Sequence, residues 1–447
     1  MNKLDFYVFN TIHYPFIPPP EENLASWVSL SNQYFDPQVG YTVYKNALEV
    51  SASAERFGYD GTLLNEHHVT AWSLDPAPNL SAMHIVANTK HIPVGIIGNA
   101  IPLYSNPLRV AEEIAMLDVI SGGRIISGFV VGTGMEYFSQ PVNPAFARER
   151  FWEAHDLIIK AWTQPGPFVW EGEHYHIPNV NPWPRPLQQP HPPIWIPGLG
   201  SKDTIRKVVE HGYHYMTVFS PQWMVKQFFD EYRKLSEELG KPVSPKKLSV
   251  AVMTYVAETE KQAHREAKAH LQWLYNTGLR HPQHFHAPPG YTTKGGFKGM
   301  MALRGALPAQ PDLTYEELIR DRYIIVGSAQ QVAEILHEEY VEKLGIGGII
   351  GFGTWGSMPQ WMVMKGLQIA AEEVIPLFRD RDGKPDYMKV PPLVPGTNAE
   401  RAAVFGKPKH PAMLKVDGLP ASIDHATAHV PEIIDPSFEP AREPTTV

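Results

Sequence analysis

Eight short, almost wholly apolar runs recur along the chain, and stretches with helical spacing separate them. The runs are "LDFYVF" (4–9), "GTLLN" (61–65), "IPVGIIG" (92–98), "RIISGFVVG" (124–132), "PIWIPG" (193–198), "YHYMTVF" (213–219), "LSVAVMTYVA" (248–257) and "GIGGIIGF" (345–352). A strand apolar on both faces belongs in a parallel sheet covered by helices. The helical stretches fall near 41–57, 83–89, 107–120, 145–162, 201–212, up to about 239, 260–277 and 358–378. In "PLRVAEEIAMLDVI", Val110, Ile114, Leu117 and Ile120 recur at helical spacing. Pro107 suits the start of that helix and Gly122-Gly123 its end. Eight such units predict a closed (β/α)8 TIM barrel, an α/β fold with its active site at the C-terminal strand ends. An open doubly wound sheet would need a glycine-rich phosphate turn early in the chain. "GTGMEY" (132–137) lacks the third glycine and follows the fourth strand.

Two regions interrupt the rhythm. After the seventh strand comes a long insertion rich in Gly, Pro and His, with 280–312 expected as a lid loop over the active site. Residues 1–382 then form the barrel, and 383–447 a proline-rich C-terminal arm, lying on the barrel, on a neighbouring subunit or free. The chain has no cysteine, which rules out disulfides, thiolate metal sites and a cysteine nucleophile. Its net charge of −8 gives no basic surplus for nucleic acid or an anionic membrane. No secretory signal or membrane-spanning run is apparent, and a cytoplasmic location is expected.

The strand ends carry the chemistry. The second strand runs into Glu66, His67 and His68, the first into His13, the third into Gly98 and Asn99, and the fourth into Gly132, Thr133 and Gly134. After the fifth, "GLGSKDT" (198–204) opens a helix with small residues. Free N–H groups there, with Ser201 and Thr204, suit a phosphate, or Ser201 simply caps the helix. Neither H-E-x-x-H nor a hydrolase G-x-S-x-G is present, so no metal site is expected. His67 and His68 are candidate acid–base residues, and Glu66 could orient one of them. Trp72, Tyr104, Phe138, Trp273 and Trp355 near loops suit an apolar pocket, although packing is the plainer role for each tryptophan alone.

The stretches "GYDGTLLNEHH", "PVGIIGNAIPLYSNPLRVAEEIAMLDVISGGRIISGFVVGTGMEYF" and "PRPLQQPHPPIWIPGLGSKDTIRKVVEHG" resemble the bacterial luciferase-like flavin monooxygenases, in order over about 4–378. The resemblance implies a two-component FMN-dependent monooxygenase. Reduced FMN would come from a separate NAD(P)H:flavin reductase, and a flavin C4a-peroxide made with O2 would oxygenate a small apolar organic molecule. It implies His67 beside the flavin ring with His68 in support, and Glu66 among the cofactor contacts. Gly98-Asn99 falls where the family often has a non-proline cis peptide. Thr133 and Tyr137 fall at flavin or phosphate contacts, and Gly200, Ser201 and Thr204 at the phosphate. Val131 stands where the luciferases carry a phosphate-binding arginine. A homo-oligomer, specifically a homodimer, is the expected assembly. Two alternatives stay open: an F420-dependent oxidoreductase of the same superfamily, and a non-catalytic flavin-binding barrel.

Overall fold

The computed structural model describes residues 3–22, 25–292, 313–379 and 384–386. The expected arm, apart from Lys384–Asp386, and the 293–312 part of the expected lid lie outside the described residues.

The eight apolar runs are the eight staves of a closed barrel. They are β1 (Asp5–Phe9), β2 (Gly61–Leu64), β3 (Val94–Asn99), β4 (Ile125–Phe129), β7 (Ile194–Pro197), β8 (His214–Val218), β9 (Leu248–Ala251) and β12 (Gly348–Phe352). They are adjacent in that order, all parallel, and β12 closes on β1. Nearly every strand residue is buried, which explains the unbroken apolar runs. β3 and β4 approach so closely that a Cβ on Gly98 would sit 2.4 Å from the Gly128 carbonyl group. Only glycine fits there, and the closeness brings the two strand ends together at the barrel mouth.

The helices follow the spacing that the sequence shows. α1 (Pro37–Phe57) begins with the Asp36 carboxylate accepting from Gln38 N–H at 2.8 Å, and ends on Gly58 in the left-handed region. α2 is Pro78–Asn88 and α3 Leu108–Ser121. α4 is Ala147–Thr163, α5 Lys202–His211, α6 Gln222–Glu238 and α7 Glu260–Trp273. α7 widens into a π turn, Leu274–Gly278, before a four-residue α8 (Gln283–His286). α9 (Tyr315–Arg320) and α10 (Ala329–Ile335) precede β12, and α11 (Gln360–Ile369) continues through irregular turns to Phe378.

Two elements differ from expectation. The run 248–257 is not one strand. It leaves the barrel after Ala251, and Met253–Ala257 becomes β10, pairing with β11 (Ile324–Ser328) in a separate parallel sheet. Both halves are buried, so both are apolar, and composition could not show the break. The proline-rich excursion contains an antiparallel hairpin, β5 (Phe168–Glu171) with β6 (His176–Val180). The end of the helical layer is clamped beneath the barrel: Arg379 donates to Gly58 O and to Asp60 Oδ2, each at 2.6 Å, and Asp60 also accepts from Phe6 N–H at 2.8 Å. No described helix is long and apolar enough to cross a membrane.

Candidate active site

β2 ends at Leu64, and the chain turns outward through Asn65, Glu66, His67 and His68. Glu66 is buried, and donors from two strand ends converge on it. Oε1 faces His68 Nε2 at 3.0 Å. Oε2 accepts from Asn99 Nδ2 and Ala100 N–H, both at 3.2 Å, and from the Tyr104 hydroxyl at 2.9 Å. Burial by itself would depress the His68 pKa. The Glu66 hydrogen bond and charge, with the field of Glu136, outweigh burial and raise it above the ordinary value. Glu66 therefore orients His68, not His67.

His67 has a different carboxylate. Its Nδ1 lies 2.6 Å from Glu136 Oε1, and Glu136 is 1% exposed. The other carboxylate oxygen accepts from Thr133 N–H at 2.7 Å. Nδ1–H donation to Glu136 fixes the ring and leaves Nε2 as the acceptor of the neutral imidazole. The ring is packed against Trp72, with centroids 4.7 Å apart, and edge-on to Trp27 at 5.2 Å. Trp27 also donates to the His68 carbonyl at 2.8 Å. The His67 side chain keeps 15% exposure, so a ligand in the mouth can reach it.

Both ring nitrogens of His13 are engaged. Its Nδ1 donates to the Trp72 carbonyl, its Nε2 faces Thr11 Oγ1 at 2.6 Å, and burial pushes its pKa down to about 4.

The remaining expected residues fall into two groups. Asn99 and Thr133 join the network above. Asn99 Oδ1 and Thr133 Oγ1 are buried without a hydrogen-bond partner. The non-proline cis bond is Ile97–Gly98, one bond before the expected Gly98–Asn99. The Tyr137 hydroxyl donates to the Val131 carbonyl at 2.7 Å. Val131 packs with Ala100, Leu103, Tyr137 and Ala147. Gly200, Ser201 and Thr204 lie apart, at the end of β7. Ser201 occupies the N-cap of α5, yet its side chain makes no capping bond, which sets aside the plain capping role. The first amide groups of α5 have no intrahelical acceptor. Gly200 has φ of 82°, and its N–H donates to the Tyr215 hydroxyl at 3.1 Å. Trp355 is a core residue, 0% exposed and packed on Phe9 and Phe219.

A free hydroxyl at a helix N-terminus, with an orphaned amide oxygen and an orphaned hydroxyl at the mouth, is what an FMN phosphate and a ring edge need. The donor set therefore fits the cofactor. The described base of the expected lid roofs the 132–138 loop. A Cβ on Gly134 would collide with the His286 carbonyl, and Phe285 packs edge-on to Phe138 at 5.2 Å. Sequence reading missed Glu136. Its signal was the capping pattern T-x-x-E in "TGME" (133–136), which places a carboxylate over the turn's first N–H.

The sequence pattern described as luciferase-like monooxygenase matches residues 26–346. The chain belongs to that family. Within the family, the chain is 32% identical over 164 residues to the oxygenase component of a flavin-dependent trigonelline monooxygenase from Acinetobacter baylyi, covering 36% of this chain and 45% of that one. The 3,6-diketocamphane monooxygenase oxygenating constituent of Pseudomonas putida, solved with FMN, superposes with TM-score 0.62 at 18% identity, covering 84% of this chain and 98% of that one. An F420-dependent secondary alcohol dehydrogenase, solved with an F420–acetone adduct, superposes with TM-score 0.59 at 18% identity, covering 85% and 100%. These two likenesses show the shared fold.

Proposed function

We propose that the protein is the oxygenase component of a two-component monooxygenase, using O2 and FMN reduced by a separate NAD(P)H:flavin reductase to oxygenate a small organic substrate. The observation that carries this reading is the His67–Glu136 pair at the barrel mouth, beside the unpartnered Asn99 and Thr133 atoms. Relatives named as monooxygenases, one of them as a flavin-dependent oxygenase component, support it.

Reduced FMN, when bound, supplies the electrons that activate O2. The chain's own residues bind, shield and move protons. Ser201, Thr204 and the first N–H groups of α5 hold the phosphate through hydrogen bonds and the helix dipole. No arginine is needed at Val131 on this account. Glu136 holds the His67 ring so that Nε2 faces the mouth and exchanges a proton there. The Glu66–His68 pair fixes the strand-end turn beside His67. Trp27, Trp72 and the 279–291 segment exclude water, which a reactive oxygen species requires.

The protein acts in the cytoplasm as a homo-oligomer on this reading. Exposed Leu80 on α2 and Met116, Val119 and Ile120 on the adjacent α3 support self-association.

A second reading is F420-dependent hydride transfer, favoured by the fold neighbour that binds F420. A histidine held by a carboxylate serves that chemistry equally. Mixing the protein with reduced FMN or reduced F420, with and without O2, separates the two. Substrate-dependent incorporation of 18O from 18O2 with FMN supports the oxygenase. Anaerobic turnover with F420 overturns it.

A further inference from the structure

One peptide unit is held at both ends, and it lies between His67 and a residue far along the chain. The Gly132 carbonyl accepts from the Tyr291 hydroxyl at 2.6 Å. The N–H of the same peptide, on Thr133, donates to Glu136 Oε2 at 2.7 Å. The other oxygen of Glu136 holds His67 Nδ1 at 2.6 Å. Tyr291, the Gly132–Thr133 peptide, Glu136 and His67 therefore form one continuous hydrogen-bonded path.

The path is well supported. The preceding carbonyl, Val131 O, accepts from Tyr137, and the two tyrosine rings pack with centroids 5.4 Å apart. Gly132 has φ of 82°, and a Cβ there would come within 2.9 Å of Glu136 Oε2, so the turn requires glycine. Tyr291 is itself anchored, since Arg148 Nη1 donates to its carbonyl at 3.2 Å. Burial pushes the Tyr291 hydroxyl pKa up to about 12, so the hydroxyl keeps the proton it donates.

We propose that Tyr291 is a positioning residue for His67, acting through the Gly132–Thr133 peptide and Glu136; this rests on His67 being the proton-exchanging group. Donation to a peptide carbonyl polarises the unit and strengthens its N–H as a donor. The Thr133 N–H then draws negative charge toward Glu136 Oε2 and away from His67. Tyr291 thereby moderates the basicity of His67, and it does so from the segment that roofs the mouth. The placement of that segment and the proton affinity of the histidine are coupled. The other groups around His67 are the Glu66–His68 pair, Asp75, whose carbonyl accepts from His67 N–H at 3.1 Å, His13 beyond Trp72 and His281 beyond Trp27. They are common to every variant and serve as a constant background.

The test is an NMR titration of the His67 imidazole in full-length protein without flavin. The resonance is the one that disappears in His67→Gln. Glu136→Gln removes the anionic partner and lowers the midpoint by about one unit or more. Tyr291→Phe keeps the ring and deletes only the hydroxyl; the midpoint rises by a few tenths of a unit. In the double variant the Tyr291 effect vanishes, because its path to His67 is cut. Tyr137→Phe is the control. The carbonyl it releases belongs to the peptide whose N–H is on Gly132, so the His67 midpoint stays. An unchanged midpoint in Tyr291→Phe, an equal shift with and without Glu136, or an equal shift in Tyr137→Phe overturns the proposal. An unchanged midpoint in Glu136→Gln overturns the underlying reading of the His67–Glu136 pair instead.

Discussion

His67 Nδ1 and Glu136 Oε1 stand 2.6 Å apart in space and 69 residues apart in sequence. The contact joins the end of β2 to the turn after β4, across the intervening β3. It gives the barrel mouth one imidazole of fixed orientation whose second nitrogen is free to act. Glu136→Gln keeps the shape and removes the charge. Product formation should fall ~10–100-fold, the usual effect of a partner that orients a functional histidine. Reduced-FMN affinity should be little changed, since Glu136 is assigned no cofactor contact. Stopped-flow binding beside product yield checks both.

Ser201→Ala should weaken reduced-FMN binding by roughly 1–3 kcal/mol, the cost of a lost charge-assisted hydrogen bond. Its hydroxyl caps nothing, so the melting temperature without flavin should stay unchanged. Anaerobic titration and thermal melts give the two readings. Unchanged affinity would remove Ser201 from the phosphate site. A large loss of stability would restore it to a capping role.

The barrel strands and their helices were legible because the physics that forms them is local. Two-sided burial writes an unbroken apolar run, and caps such as Pro107 and Gly122 punctuate the helices. Glu66, His67 and His68 stood out because three polar residues ended such a run. Their pairing was not legible. Sequence proximity suggested Glu66 for either histidine, yet the turn sends Glu66 to His68 and leaves His67 to Glu136. Which strand end meets which is decided by barrel closure, a property of the whole chain. The β5–β6 hairpin was hidden by the prolines around it, although "FVWE" alternates between half-buried and exposed positions. The division of 248–257 left no trace because both sheets bury their strands fully.

Arg379→Met should destabilise the protein by about 3–5 kcal/mol, because it leaves the buried Asp60 carboxylate without its cationic partner. Arg379 is 3% exposed and Asp60 9%. Asp60→Asn together with Arg379→Met should recover part of the loss. Urea unfolding of the three variants decides it; a loss under 1 kcal/mol would show the clamp to be dispensable.

Asp75 predicts a pH dependence. Burial, with the nearby Glu66 charge adding to it and the Ser81 hydrogen bond opposing, raises its pKa from 3.8 to about 7. The folded state then holds a proton that the unfolded chain has released between these values. This contribution favours folding at low pH and is lost as the pH rises from 3.8 through about 7, on the order of 4 kcal/mol in all. Asp75→Asn removes the dependence. Its stability relative to the parent should be about 2–3 kcal/mol more favourable at pH 8 than at pH 5. Equal differences at the two pH values, by urea unfolding, would contradict the assignment.

On the proposed reading, His67 exchanges the proton on which oxygen transfer depends. The most direct measurement is product formed per reduced FMN consumed, with released H2O2 counted in the same reaction, for His67→Ala against the parent. The variant should retain flavin binding, lose product by roughly 10²-fold or more, and release H2O2 in its place. Normal product yield with normal coupling would contradict it and move the role to His68.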